Sequence, residues 1–181
     1  MSKIIAIMLL LCCGMMLFGC ADDNGRRKAE QQKTIVVTDS VGRKVELPYP
    51  LERVAVCNVY NAELITAVGA IDKIVGVDNY IFKDQSGFKN RFNEAQVFGI
   101  SQNAMNYEKL AELAPQAVII TGEGTWRDAQ EMLDRFGIKV IVINSYYTDQ
   151  FADNCRLIGR IFGREEQAEE LESNINDFSY K

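Results

Sequence analysis

The sequence predicts an α/β protein. Its lobe would have three layers, with a mainly parallel sheet between helices, a β-hairpin in front and a long helix behind. Three observations carry this reading. Short apolar, β-branched segments alternate with helical patterns along most of the chain. Those segments lack the polar and apolar alternation of a half-solvated strand, so they belong in the interior of a sheet covered on both faces. Helix stops also run directly into strand starts, most clearly in Asn106 to Thr121, NYEKLAELAPQAVIIT.

The elements follow in order. Thr34 to Asp39 and Lys44 to Leu47 form a hairpin around Ser40, Val41 and Gly42, and Pro48 and Pro50 end further central pairing. Arg53 to Cys57 is a short apolar strand, Asn61 to Val68 a helix closed by Gly69, and Ile74 to Val77 a second strand. Residues 81–101 hold no sustained period and mix Gly, Asn and Ser with four Phe, the pattern of a long loop, and long loops in compact domains usually carry function. In 107–114, Leu110, Leu113 and Ala114 fall at i, i+3 and i+4 on one helical face. Asn106 is placed to cap that helix and Pro115 to stop it, and Ala117 to Thr121 is the buried strand that follows. A helix from Trp126 to Phe136 comes next, with Thr125 and Asp128 as a variant capping box, an inner face of Ala129, Met132, Leu133 and Phe136, and Gly137 as its stop. Lys139 to Ile143 is the last strand. Phe151, Cys155, Ile158 and Phe162 stripe a helix closed by Gly163. From Arg164 a further helix begins with Glu165 and Glu166 in its first turn, where the macrodipole favours acids. Its stripe of Ala168, Leu171, Ile175 and Phe178 is still running at Lys181, which predicts a following domain.

The start of the chain sets its destination. Lys3, the uncharged run Ile4 to Phe18, and Gly19 make a positive region, an apolar region and a small residue before a cleavage point: an export signal over 1–19. The run falls short of the roughly 20 residues a membrane span needs, which disfavours an uncleaved anchor. Leu17, Phe18, Gly19 and Cys20 resemble the lipobox of bacterial lipoproteins, with Phe18 where a small residue is usual. That resemblance implies acylation of Cys20. Residues 20–33 are polar and charged with no apolar face, a flexible tether. The lobe then spans 34–163 and the trailing helix 164–181. Loss of residues 1–19 removes Lys3 and leaves 19 basic against 25 acidic side chains. An acidic surface without a basic run disfavours nucleic acid and anionic membrane surfaces as partners. Cys57 and Cys155 have no metal or redox spacing and lie on apolar stretches, so both read as buried free thiols.

Ligands of open parallel sheets bind at the carboxyl ends of the strands. Here those ends are Asn58 to Asn61, Asp78 to Tyr80, Gly122 to Arg127 and Asn144 to Tyr147. Trp126 and Arg127 read equally as first-turn residues of an ordinary helix and as ligand-facing groups. Enzyme chemistry has little support. Gly122-Glu123-Gly124 lacks the remaining glycine of a dinucleotide fingerprint, no P-loop Lys follows, and the chain has no His to serve as a base.

The ordered series TIVVTDSVGRKVELPYPLERVAV, NAELITAVGAIDKIVGVDNY, NYEKLAELAPQAVIIT, FGIKVIVINS and LIGRIFGREEQAEEL, from Thr34 onward, closely resembles the N-terminal lobe of periplasmic binding proteins serving ABC importers of iron–siderophore, haem and cobalamin type. The resemblance implies two α/β lobes joined by a long helix, with the ligand in the cleft between them. This chain looks like one lobe and the first part of that helix. It implies that Glu108 docks onto arginines of a membrane permease, that Tyr80 faces the ligand, and that Tyr60 and Asn61 line the cleft. The ligand set expected on this reading is Tyr60, Asn61, Tyr80, Ser101, Trp126 and Arg127. Structural readings compete: Glu108 as a solvated first-turn acid, Tyr80 as a strand-end residue packed on the lobe.

Cobalamin-binding members carry tryptophans where Gln102 and Thr121 stand here, so a flat macrocycle is not the expected cargo. With no imidazole available, a metal would arrive already chelated, or the solute would be an oxyanion held by N–H groups at helix starts. The expected protein is thus a lipid-anchored, exported solute-binding component of an ABC importer, with no catalytic residue, no cofactor and no bare metal site. The alternatives are a lipid-anchored interaction lobe without a transport role and, less in keeping with the residues, a flavodoxin-like nucleotide-binding enzyme domain.

Overall fold

The computed structural model describes residues 33–179, with no account of side chains after Ile175. The expected export signal, Cys20 and nearly all of the tether lie outside the described residues, as does the side chain of Phe178. Strands β1 (Thr34–Thr38) and β2 (Lys44–Pro48) pair antiparallel, Thr34 opposite Pro48 and Thr38 opposite Lys44. The central sheet holds β3 (Val54–Val56), β4 (Ile74–Val77), β5 (Ala117–Ile120) and β6 (Lys139–Val142). All its pairings are parallel and its order is β4-β3-β5-β6.

Helices α1 (Val59–Ala67), α2 (Asn79–Lys83), α3 (Tyr107–Glu112), α4 (Trp126–Asp134), α5 (Phe151–Phe162) and α6 (Glu165–Ser179) complete the lobe. The β5 side chains divide by the pleat. Ala117 and Ile119 enter a core with Leu64 and Ile65 of α1 and Ile158 and Ile161 of α5, whereas Val118 and Ile120 enter a second core with Leu110 of α3 and Ala129 and Leu133 of α4. A strand with a period of two, buried on both faces, therefore separates two helical layers, which is the predicted three-layer lobe.

The hairpin turn is stitched to the end of β6. Asp39 is buried; its carboxylate pairs with Arg43 and accepts from the backbone N–H of Arg43 and Val142. Ser40 N–H donates to Val142 O at 2.9 Å, and Asn144 N–H donates to Ser40 Oγ at 3.2 Å. The α5–α6 junction turns at Gly163, whose φ of 64° is easy only without a side chain. Gly159 lets the two helices close. A Cβ there would sit 2.5 Å from the Cβ of Ala168.

Several expected boundaries shift. Helix α1 begins at Val59, two residues early, because Asn58 rather than a residue inside the turn supplies the cap. Ala114 leaves the apolar stripe of α3. It is exposed at φ 48°, the left-handed conformation that often closes a helix just past its C-cap, here directly ahead of Pro115. Phe136 is not on the inner face of α4; the helix ends at Asp134 and the ring is 48 % exposed. Thr125 makes no side-chain cap, its N–H and hydroxyl turning instead to Asn103 Oδ1. Residues 81–101 are more ordered than a plain loop. They open with the last turn of α2, Val97 bridges Val77 as a short parallel extension of the sheet edge, and Phe98 is fully buried in the second core. Cys57 and Cys155 are free and buried, as expected, and burial raises both thiols, Cys155 to about 11.

Candidate functional site

Strand β3 pairs with β4 on one side and β5 on the other. The chain builds outward from β3 first toward β4 and later toward β5, so the connections leaving β3 and β5 diverge and open a crevice at their carboxyl ends. A pocket of about 370 Å³ occupies it, lined by Asn58, Val59, Tyr60, Asp78, Tyr80, Ser101, Gln102, Asn103, Thr121 and Glu123. Each strand end and the 99–105 loop contribute. Gly99 N–H is carried on a segment that bridges Met105, and a Cβ on Gly99 would meet Ala104 O at 2.5 Å, so this loop closes only with glycine there.

The floor is built from polar groups that satisfy one another. Asn58 sits at φ 78°, a conformation Asn tolerates better than most residues, and its Oδ1 accepts from Tyr60 N–H at 2.9 Å. Asp78 is buried; one carboxylate oxygen accepts from Ile81 N–H at 3.0 Å and the other from Asn58 N–H at 3.2 Å, tying the starts of α1 and α2 together. Burial raises its pKa, and these backbone donors partly oppose the rise. Gln102 accepts from Thr121 N–H at 2.9 Å and Thr121 Oγ1 at 2.8 Å, while its amide nitrogen donates to Glu123 O. Gly122 N–H donates to Asn144 Oδ1 at 2.7 Å. Gly124 at φ 80° leaves room for Asn103, whose Oδ1 would lie 2.2 Å from any Cβ there.

The expected site residues separate into groups. Tyr60, 55 % exposed, Tyr80, 62 % exposed, and Ser101 share the pocket. Asn61 does not reach it. It is fully buried beneath the start of α1, with Nδ2 donating to Cys57 O at 3.2 Å and Oδ1 without a partner. Successive helical residues are rotated by about 100°, so adjacent Tyr60 and Asn61 point to different sides. Trp126, 8 % exposed, has the guanidinium of Arg43 at 4.3 Å and that of Arg127 at 4.1 Å from its ring centre. Those two residues border another hollow, with Gln130, Glu131 and Asp134. Glu108 stands exposed in the first turn of α3 beside an apolar hollow of about 670 Å³ that includes Met105, Tyr107, Met132 and Phe136.

Asn58, Asp78 and Glu123 fall within the strand ends expected to gather a ligand but outside the expected ligand set, and Gln102 and Asn103 lie beyond those ends. Asn and Asp immediately after apolar strands were the available signal, since those residues cap helices and close turns. Gln102 is singled out only by the resemblance, as a tryptophan position of cobalamin-binding members, and Asn103 by nothing, because its approach depends on how the 99–105 loop folds back. Tyr146 lies close by. Burial first, then Tyr147 and Glu123, raise its hydroxyl, which has no partner at hydrogen-bonding geometry. Among the described residues no three metal-ligating side chains gather.

Solved structures with the same fold are numerous. A periplasmic solute-binding protein of Veillonella parvula is 27% identical with a TM-score of 0.66, the match covering 80% of this chain and 46% of that one. A petrobactin-binding protein of Bacillus subtilis is 18% identical, TM-score 0.65, covering 80% and 50%. A molybdate periplasmic binding protein of Haemophilus influenzae is 22% identical, TM-score 0.65, covering 76% and 49%. This chain thus spans about half the length of each. No curated protein sequence matches it. The profile described as periplasmic binding protein matches residues 54–179, which take in every strand of the central sheet and all six helices, and the chain therefore belongs to the periplasmic binding protein family.

Proposed function

We propose that this chain captures a small solute at the carboxyl-end crevice, as the solute-binding lipoprotein of an ABC importer. The solute is a chelated metal compound of the iron–siderophore kind, handed to a membrane permease without chemical change. The observation that carries the reading is the pocket at the β3–β5 switch point, where two exposed tyrosines stand over a floor whose polar groups are already paired. Such a surface offers ring faces and amide edges to a ligand without needing to rearrange, and a pre-ordered site spends less free energy on binding. The solved proteins of similar fold named for petrobactin and for molybdate support a solute-binding role.

Titration calorimetry of the full-length protein against ferric siderophores and molybdate tests this. Binding of a ferric chelate that weakens at least tenfold in Tyr60→Ala or Tyr80→Ala supports it. Binding untouched by both substitutions would place the solute elsewhere. The permease contact is assigned to Glu108, exposed at the start of α3. Glu108→Lys is expected to lower uptake in cells while leaving solute affinity unchanged; parallel loss of both would remove the docking role. Export and anchoring rest on residues 1–20. Cys20→Ser should release the protein from the membrane fraction, and retention there would refute the anchor.

A further inference from the structure

The charge character of the crevice is legible from what its donors and acceptors are doing. An anion at the end of a parallel sheet is ordinarily held by free backbone N–H groups at helix starts. Here, at the starts of α1 and α2 and the end of β5, the N–H groups of Asn58, Tyr60, Ile81, Thr121 and Gly122 are each bonded to a protein oxygen, on Asp78, Asn58, Asp78, Gln102 and Asn144 respectively. Among the described residues that line the pocket none is basic, while two, Asp78 and Glu123, are acidic. Glu123 is exposed, and it lines the same pocket as the exposed Tyr60 and Tyr80 rings. Aromatic faces with a nearby carboxylate attract a cation and repel an anion. The chain's net charge of −5 adds a long-range field of the same sign.

Building on the solute-binding reading above, we infer that the pocket takes a metal chelate of net positive charge, one bearing an exposed ammonium, in preference to a net negative chelate or a free oxyanion. The ammonium lies against Tyr60 and Tyr80 with Glu123 as its counter-charge, and the amides of Asn58, Gln102 and Asn103 meet the ligand's polar edge.

The test is calorimetry on the full-length protein at low and high salt with three ferric probes. These are a linear trihydroxamate carrying a free ammonium, a neutral cyclic trihydroxamate and a net negative tricatecholate. The positive probe is expected to bind at least about tenfold tighter than the negative one at low salt, with the gap narrowing at high salt. Glu123→Gln, at an exposed position where folding is not at stake, should weaken the positive probe about threefold or more and the neutral one by clearly less. Tyr80→Leu should likewise weaken the positive probe more than the neutral one. A negative probe that binds as tightly as the positive one, or equal losses of positive and neutral probes in both variants, overturns the charge preference and leaves solute binding standing. If no probe binds at any charge, the solute-binding reading falls and this inference falls with it.

Discussion

Strand β5 and the two residues beyond it lie in one continuous segment but are held by different physics. Ala117 to Ile120 are apolar, fully buried and divided between two cores. At the next step, Thr121 and Gly122 turn their N–H groups to Gln102 and Asn144, side chains brought from two other loops. In the strand body stabilisation scales with apolar area removed from water, so many residues share it and pattern alone specifies it. At the carboxyl end it is carried by discrete pairings, each with one donor and one acceptor, and a lost partner leaves a specific orphan. The lobe is thus robust where it is rigid and particular where a solute would meet it.

The largest way to break this contrast is Ile119→Ala. The side chain is fully buried in the central strand, and its truncation should cost about 3–4 kcal/mol in urea denaturation while leaving solute affinity of the folded protein unchanged. A cost below about 1 kcal/mol would mean that the strand body is not what holds the lobe. Gln102→Ala should have the opposite profile. It leaves Thr121 N–H and Oγ1 without their acceptor, a loss of about 1–2 kcal/mol, with faster amide exchange at Thr121 and a clear drop in solute affinity. Affinity unaffected by Gln102→Ala would show that the loop end is only structural.

The smallest effect is in pH dependence. Burial holds Asp78 above its ordinary 3.8, so the folded chain keeps that proton more tightly than the unfolded chain does. Its contribution to stability is therefore complete below pH 3.8 and lost as pH rises through the raised value. Asp78→Asn should flatten this part of the stability profile, whatever constant offset the substitution adds. An unchanged slope would mean that the carboxyl group titrates alike in both states.

The same division explains what could be read in advance. The central strands, the hairpin and the two-sided burial follow from runs such as Ala117 to Ile120, because the interior of a parallel sheet demands apolar residues at every position. Phe98 was hidden. It sits in a polar segment without period, and only the bridge between Val77 and Val97, together with the Asn79 N–H to Gly99 O bond, lays it against the second core. Tyr60 and Asn61 were named together as cleft residues, yet one is exposed and the other buried, since two adjacent helical positions cannot face one way. Trp126 was open between two roles, and the structure shows it clasped by Arg43, a partner from the distant hairpin that no local pattern announces.

By itself the sequence determined the layered α/β architecture, the free thiols and the strand ends at which a ligand could gather, because hydrophobic periodicity and turn chemistry are local and repeat along the chain. Only the tertiary structure decided which side chains line the crevice, which N–H groups are already taken and where the exposed acid stands. Those facts depend on meetings such as Gln102 with Thr121 and Asp78 with Asn58, made by residues about 20 positions apart whose relative placement follows from closure of the whole sheet and its loops.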